Sequence, residues 1–204
     1  VEDFYTLAHV TTWEQMIDKS RFIAIAVPLM SLGEIEKAMQ EIRESYPNAR
    51  HYVYAYRLHN GLLEKSSDDG EPQGTGGRPL LDLLQHRNVW NVLLVVVRYF
   101  GGVLLGTGGL SRAYGGTARQ VVIETDLIKL TLHCVLGLRI PYEWFESLKY
   151  QFEQHKWIIK KEEFSEVVNL HIHIPEQEVE VFTKWIDDFT GKKVTCEDLG
   201  IVWG

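Results

Sequence analysis

The sequence predicts an α+β protein of two units, an N-terminal α/β domain over residues 1–129 and a smaller domain over 130–204. Three observations carry this. The apolar run Val92-Leu93-Leu94-Val95-Val96-Val97 is too short to span a membrane and suits a buried strand. The tetrapeptide Gly-Thr-Gly-Gly occurs twice, at Gly74-Thr75-Gly76-Gly77 and Gly106-Thr107-Gly108-Gly109, each time between a strand-like stretch and a helical one. Beyond residue 130 the periodicity switches in the order β-α-β-β-α-β.

Taken in order, Ser20–Leu29 reads as a strand bounded by Pro28, and Ser31 with Glu34 reads as a capping box. Ile35, Ala38, Met39, Ile42 and Tyr46 follow at helical spacing, and Pro47 ends that helix. Over Tyr52–His59, Tyr52, Tyr54 and Tyr56 alternate with Val53, Ala55 and Arg57, and Asn60-Gly61 predicts a hairpin turn. Ser66–Gly77 is a polar loop, and a helix is expected to start near Pro79. The second glycine loop leads into a helix to about Glu124, with Leu110, Ala113, Tyr114, Thr117, Ala118 and Val121 facing inward.

In the second unit, Thr131–Ile140 reads as a strand, and Pro141 opens a helix with Phe145, Leu148 and Phe152 inward. Trp157–Phe164 and Val167–Ile174 are two more strands. Pro175 then starts a helix closed by Gly191, and Lys192–Trp203 supplies the last strand. The order is that of a ferredoxin-like domain.

The formal net charge of −7 argues against a generic nucleic-acid coat. Its distribution is uneven. Residues 130–204 hold 8 Lys and Arg against 13 Asp and Glu. Between 78 and 119, by contrast, Arg78, Arg87, Arg98, Arg112 and Arg119 face only Asp82. The planar guanidinium suits phosphate and carboxylate. Cys134 and Cys196 lack metal spacing. With no secretory signal pattern visible, they predict a cytoplasmic protein without a disulfide framework.

Glycine loops of this kind turn several N–H groups toward one point, and a following helix N-terminus adds partial positive charge. Two readings stand, an anion site or tight turns demanded by packing. The familiar fingerprints fail. Thr107 and Gly108 occupy the Lys and Ser/Thr positions of a P-loop counted from Gly101, and Ser111 replaces the third glycine of a dinucleotide loop.

Asp68, Asp69 and Glu71 have the chemistry to hold a metal or act as general base, or alternatively to cap the next turn and pair with arginine. Tyr54, Tyr56 and Tyr99 form a base-stacking platform if their sheet face is open, and core if it is not. His171 and His173, with no third ligand near them, call for no metal, and no residue pattern calls for a cofactor.

Two blocks carry a resemblance. They are Asp68-Asp69-Gly70-Glu71-Pro72 with Gly74-Thr75, and Arg98-Tyr99-Phe100-Gly101-Gly102 followed by Gly106, Gly108-Gly109-Leu110, Arg112-Ala113-Tyr114. Lys19–Ile23 and His51, Tyr54-Ala55-Tyr56 add to it. Over about residues 5–125 the chain resembles the YigZ/IMPACT family, in its bacterial two-domain form without the eukaryotic RWD domain.

The resemblance implies an N-terminal ribosomal-protein-like α/β sandwich similar to domain IV of elongation factor G, and a C-terminal domain similar to its domain V. It also implies a translation-associated cytosolic role. Two positions depart from the family pattern: Val53 stands for a frequent Cys and Gly76 for a common Ala.

The expected function is regulatory binding of RNA or a nucleotide phosphate, with no membrane partner. Its expected residues are Gly74, Thr75, Gly76, Gly77, Arg78, Arg98, Gly101, Gly102, Gly106, Thr107, Gly108, Gly109 and Arg112. The rival is a metal-assisted hydrolase or transferase of a phosphorylated small molecule, using Asp68, Asp69 and Glu71. A third reading has the acidic C-terminal domain dock on a ribosome or translation factor.

Overall fold

An unbroken apolar run can be covered on both faces and so makes a strand the centre of a sheet, and Val92–Tyr99 is that strand, its first seven residues buried. The computed structural model describes residues 3–204. They divide into two compact units, Phe4–Lys129 and Leu130–Gly204.

In chain order the first unit holds β1 (Phe4–Leu7), β2 (Thr11–Ile17), β3 (Ser20–Pro28), α1 (Gly33–Ser45), β4 (His51–Leu58), β5 (Leu63–Ser67), α2 (Gly77–His86), β6 (Val92–Tyr99) and α3 (Gly106–Glu124). A short strand, β7 (Leu127–Leu130), pairs with β1. The main sheet has the order β2-β3-β6-β4-β5, antiparallel throughout.

The period of two sorts its side chains. Phe22, Ala24, Val53, Ala55, Leu94 and Val96 pack against α2 and α3, which contribute Leu80, Leu84, Leu110, Ala113, Tyr114 and Val121. Ile23, Ile25, Tyr52, Leu93, Val95 and Val97 point the other way, onto Ala38 and Ile42 of α1. The sheet is therefore covered on both faces.

Local chemistry departs from expectation in three places. Glu34 bonds the Met30 N–H at 2.9 Å and accepts from the Ser31 hydroxyl at 3.3 Å, so its backward reach goes one residue beyond the capping box. The β4–β5 connection is a four-residue loop, because Leu58 pairs with Leu63, and not a two-residue turn at Asn60-Gly61. β1, β2 and β7 were not expected at all.

The second unit holds β8 (Leu132–Ile140), α4 (Tyr142–His155), β9 (Ile158–Phe164), β10 (Val168–Pro175), one 3₁₀ turn (Glu176–Glu178), α5 (Val179–Thr190) and β11 (Cys196–Trp203). Its antiparallel sheet has the order β11-β8-β10-β9. Leu138, Ile140, Leu170, Ile172 and Ile174 face Leu148, Phe152, Phe182 and Ile186 of the two helices in one core. His171 and His173 alternate with these and lie on the opposite face. α5 ends where Gly191 takes a left-handed conformation. The sequence expects Val179, Phe182, Trp185, Ile186 and Phe189 on one side of this helix; Phe182 and Ile186 are buried, while Phe189, in the last turn, is 43% exposed and stacks on Trp185. No helix among the described residues is long and apolar enough to cross a membrane.

Candidate functional site

The two Gly-Thr-Gly-Gly loops have the same sequence and opposite fates. In the first, the Asp68 carboxylate accepts from the N–H groups of Gly74 (2.8 Å), Gly76 (2.9 Å) and Gly77 (2.8 Å). The anion that this loop binds is thus the chain's own. Asp68 caps α2 from nine residues upstream, where Gly76 has no side chain to do so. Burial works against its ionisation, yet the three N–H bonds outweigh it and hold its pKa below the usual carboxylate range.

Thr75 bonds the Pro72 carbonyl at 2.6 Å, and Arg78 pairs with Asp82 at 2.7 Å on the surface. Gly77 is required by space, since a Cβ there would lie 2.7 Å from the Ser67 backbone. Gly74, Thr75, Gly76, Gly77 and Arg78, read as phosphate ligands from the sequence, are here engaged within the chain.

The second copy is not a loop leading into a helix but the first turn of α3 itself. α3 starts at Gly106 with no side-chain cap and no acidic residue in its first turn. Gly106 and Gly102 take positive φ (68° and 85°), which lets the chain double back into the helix. Gly101 is fixed by close approach: a Cβ would lie 2.0 Å from the Lys19 carbonyl, and its N–H bonds the buried Ser20 hydroxyl at 3.1 Å.

Beside this helix N-terminus lies a cavity of about 500 Å³, lined by Arg98, Glu71 and His51 together with Phe100, Leu105 and Leu110 among others. Arg98 is 5% exposed, and its guanidinium carbon lies 5.4 Å from the ring centres of both Phe22 and Phe100. One terminal nitrogen donates to Glu71 at 2.7 Å and the other reaches Ser20 at 3.4 Å, while its buried Nε has no partner.

Glu71 is equally buried and also accepts from the Tyr114 hydroxyl at 2.7 Å. Burial and that bond push the Tyr114 phenol far above its ordinary pKa. His51 Nδ1 donates to the Asp69 carbonyl at 2.7 Å, because a carbonyl can only accept, and Nε2 then faces Glu71 at 3.7 Å.

The three carboxylates expected to converge do not. Asp68 serves the first glycine loop, Asp69 accepts from the Tyr52 N–H at 2.6 Å, and Glu71 serves Arg98 and Tyr114. Among the described residues no group of three or more His, Cys, Asp or Glu side chains is placed to hold a metal ion.

Tyr54, Tyr56 and Tyr99 are partly buried against the α1-side core, on the sheet face opposite Arg98, so they cannot stack a base beside it. The aromatic ring that does lie there is Phe100, 49% exposed. In the sequence Phe100 has no signal beyond its place in the quoted block. His51 and Ser20 stand inside the quoted blocks without a role, and Tyr114 is expected only as an inward-facing residue of its helix.

Comparison with known proteins agrees with this division. The Impact N-terminal domain family matches residues 18–122, and a domain of unknown function (DUF1949) matches residues 138–192. The chain is similar to the IMPACT family member YvyE of Bacillus subtilis (strain 168), at 30% identity over 95% of this chain and 89% of that protein. It is also similar to the IMPACT family member YigZ of Escherichia coli (strain K12), at 34% identity over 90% and 91% of the two chains. A crystal structure described only as that of a hypothetical protein superposes with a TM-score of 0.62 at 30% identity, covering 96% of this chain and 97% of that one. With both domains matched in order, and bacterial relatives aligned over nearly their whole length, the chain belongs to the IMPACT family.

Proposed function

We propose that this protein is a translation-associated regulator that binds RNA, seating a backbone phosphate at the N-terminus of α3 and a base against Phe100. Elongation-factor-like and ferredoxin-like analogies for the two domains are part of this reading. The observation that carries it is the pairing of an uncapped helix N-terminus with Arg98, whose buried Nε lacks a partner, at the wall of an apolar cavity.

Helix N–H groups and a guanidinium both favour a phosphate oxygen, and they are worth more where water is excluded. Leu105, Leu110 and Phe100 supply the apolar walls that a nucleobase needs and a free phosphate does not. The hydrolase reading needs carboxylates converging on one point, and Asp68, Asp69 and Glu71 diverge.

The test is fluorescence anisotropy with a labelled single-stranded RNA across a salt series. Thr107→Asp puts a carboxylate in the first turn of α3, which stabilises the helix while repelling phosphate, so lost affinity is not lost folding. It is expected to weaken binding about tenfold, and Arg112→Ala to flatten the log–log salt slope by about 0.7. Unchanged affinity in the first variant with an unchanged slope in the second would overturn the reading.

A further inference from the structure

Resting on that RNA-binding reading, the geometry points to a second phosphate-binding groove, so that the ligand is a single strand several nucleotides long running along α3 beside α2. A groove of about 450 Å³ lies between α2 and α3, lined by Arg87, Arg119, His86 and Gly115 among others. Asp82 also lines it, but is held by Arg78 at 2.7 Å.

The helical period connects the groove to the Arg98 cavity. Gly108, Arg112, Gly115 and Arg119 are spaced i, i+4, i+7 and i+11, which puts them on one stripe, opposite the buried Leu110, Ala113, Tyr114 and Val121. Gly108 keeps the stripe low at its cavity end, whereas Gly115 lets α2 come close, since a Cβ there would lie 3.4 Å from the Pro79 Cβ, so the stripe runs along the seam with α2. Arg112 folds back over Gly108, its Nη1 being 3.4 Å from the point a Cβ there would occupy, so its charge sits toward the cavity end.

Arg87, Arg112 and Arg119 are exposed, and among the described residues none has an ion-pair partner. From Thr107 to Arg119 the helix rises about 18 Å, a distance that one nucleotide cannot cover and a short oligonucleotide can. An acidic peptide would satisfy the arginines equally well. It has no use for the apolar cavity with Phe100 at its wall, and a duplex could not place a base there without unstacking it.

The experiment measures binding of uridine monophosphate, tetrauridylate and octauridylate to the full chain by competition against a labelled octamer. Wild-type protein is expected to bind the tetramer about tenfold or more tighter than the monophosphate. In the Arg87→Ala/Arg119→Ala variant that gain is expected to vanish, and the octamer's salt slope to fall by about 1.4, as for two lost contacts.

Equal binding of monophosphate and tetramer by the wild type overturns the groove while leaving the α3 N-terminal site standing. So does a length dependence that survives in the double variant. Absence of binding to all three ligands overturns the underlying reading as well. Polyglutamate competing as well as the octamer at equal charge overturns RNA as the ligand in favour of an acidic protein segment.

Discussion

Asp68 decides what the first glycine loop is. A loop of outward N–H groups and an external phosphate would make an anion site, but an aspartate eight residues before Gly76 fills the same role from within. Its three N–H bonds have a consequence for stability. Because the folded-state pKa lies below the unfolded value, the stabilisation is complete above about pH 4 and disappears as pH falls through the folded pKa. Asp68→Asn keeps an acceptor but turns an N–H₂ group toward one of the three donors. It is expected to cost about 1–2 kcal/mol at pH 7, read as a lower urea midpoint. The gap between wild type and variant should narrow as pH drops below about 4. A gap that stays constant into strong acid would mean that the carboxylate charge is not what holds the loop.

The packing of β4 against the turn before α2 couples Val53 and Gly76, the two positions at which the resemblance implies other residues. A Cβ on Gly76 would lie 2.8 Å from one Val53 methyl and 3.0 Å from the other, so the larger residue at 53 requires the smaller one at 76. Gly76→Ala is therefore expected to destabilise the protein by about 1–3 kcal/mol through overpacking. Adding Val53→Cys should recover much of that loss, with a coupling of at least about 0.5 kcal/mol in a double-mutant cycle of urea unfolding. Strict additivity would refute the contact.

That pairing was present in the sequence only as two separate exceptions, since nothing in their spacing tells that positions 23 residues apart touch. The elements themselves were more legible. β6 announced itself as an unbroken apolar run, and the inward face of α3 followed from period alone. β2 escaped because only every second residue of Thr11–Ile17 is half-buried on this edge strand, which leaves its composition polar. The opposite orientations of Arg98 and Tyr99 followed from strand alternation, but which face carries the cavity depended on where α3 packs. The sequence does not state that.

If the protein binds RNA as proposed, its charge makes binding local and leaves approach unfavoured. The whole chain carries −7, residues 130–204 account for −5 of this, and the arginine excess between 78 and 119 lies on α2 and its C-cap Arg87, on β6 and on α3. A polyanionic strand is repelled by the net charge at distances beyond about 10 Å, while the guanidinium groups act only on contact. Salt therefore affects the two rates differently. Raising ionic strength from about 0.01 M to 0.15 M shortens the Debye length from about 30 Å to about 8 Å, which screens the repulsion before the contacts. Stopped-flow fluorescence with a short single-stranded RNA is expected to give an association rate constant that rises over this range. The dissociation rate constant should rise more steeply, so that affinity still falls. An association rate that drops with salt, as for a protein steered by its overall field, would mean that the strand meets the α3 arginines without sensing the acidic remainder of the molecule.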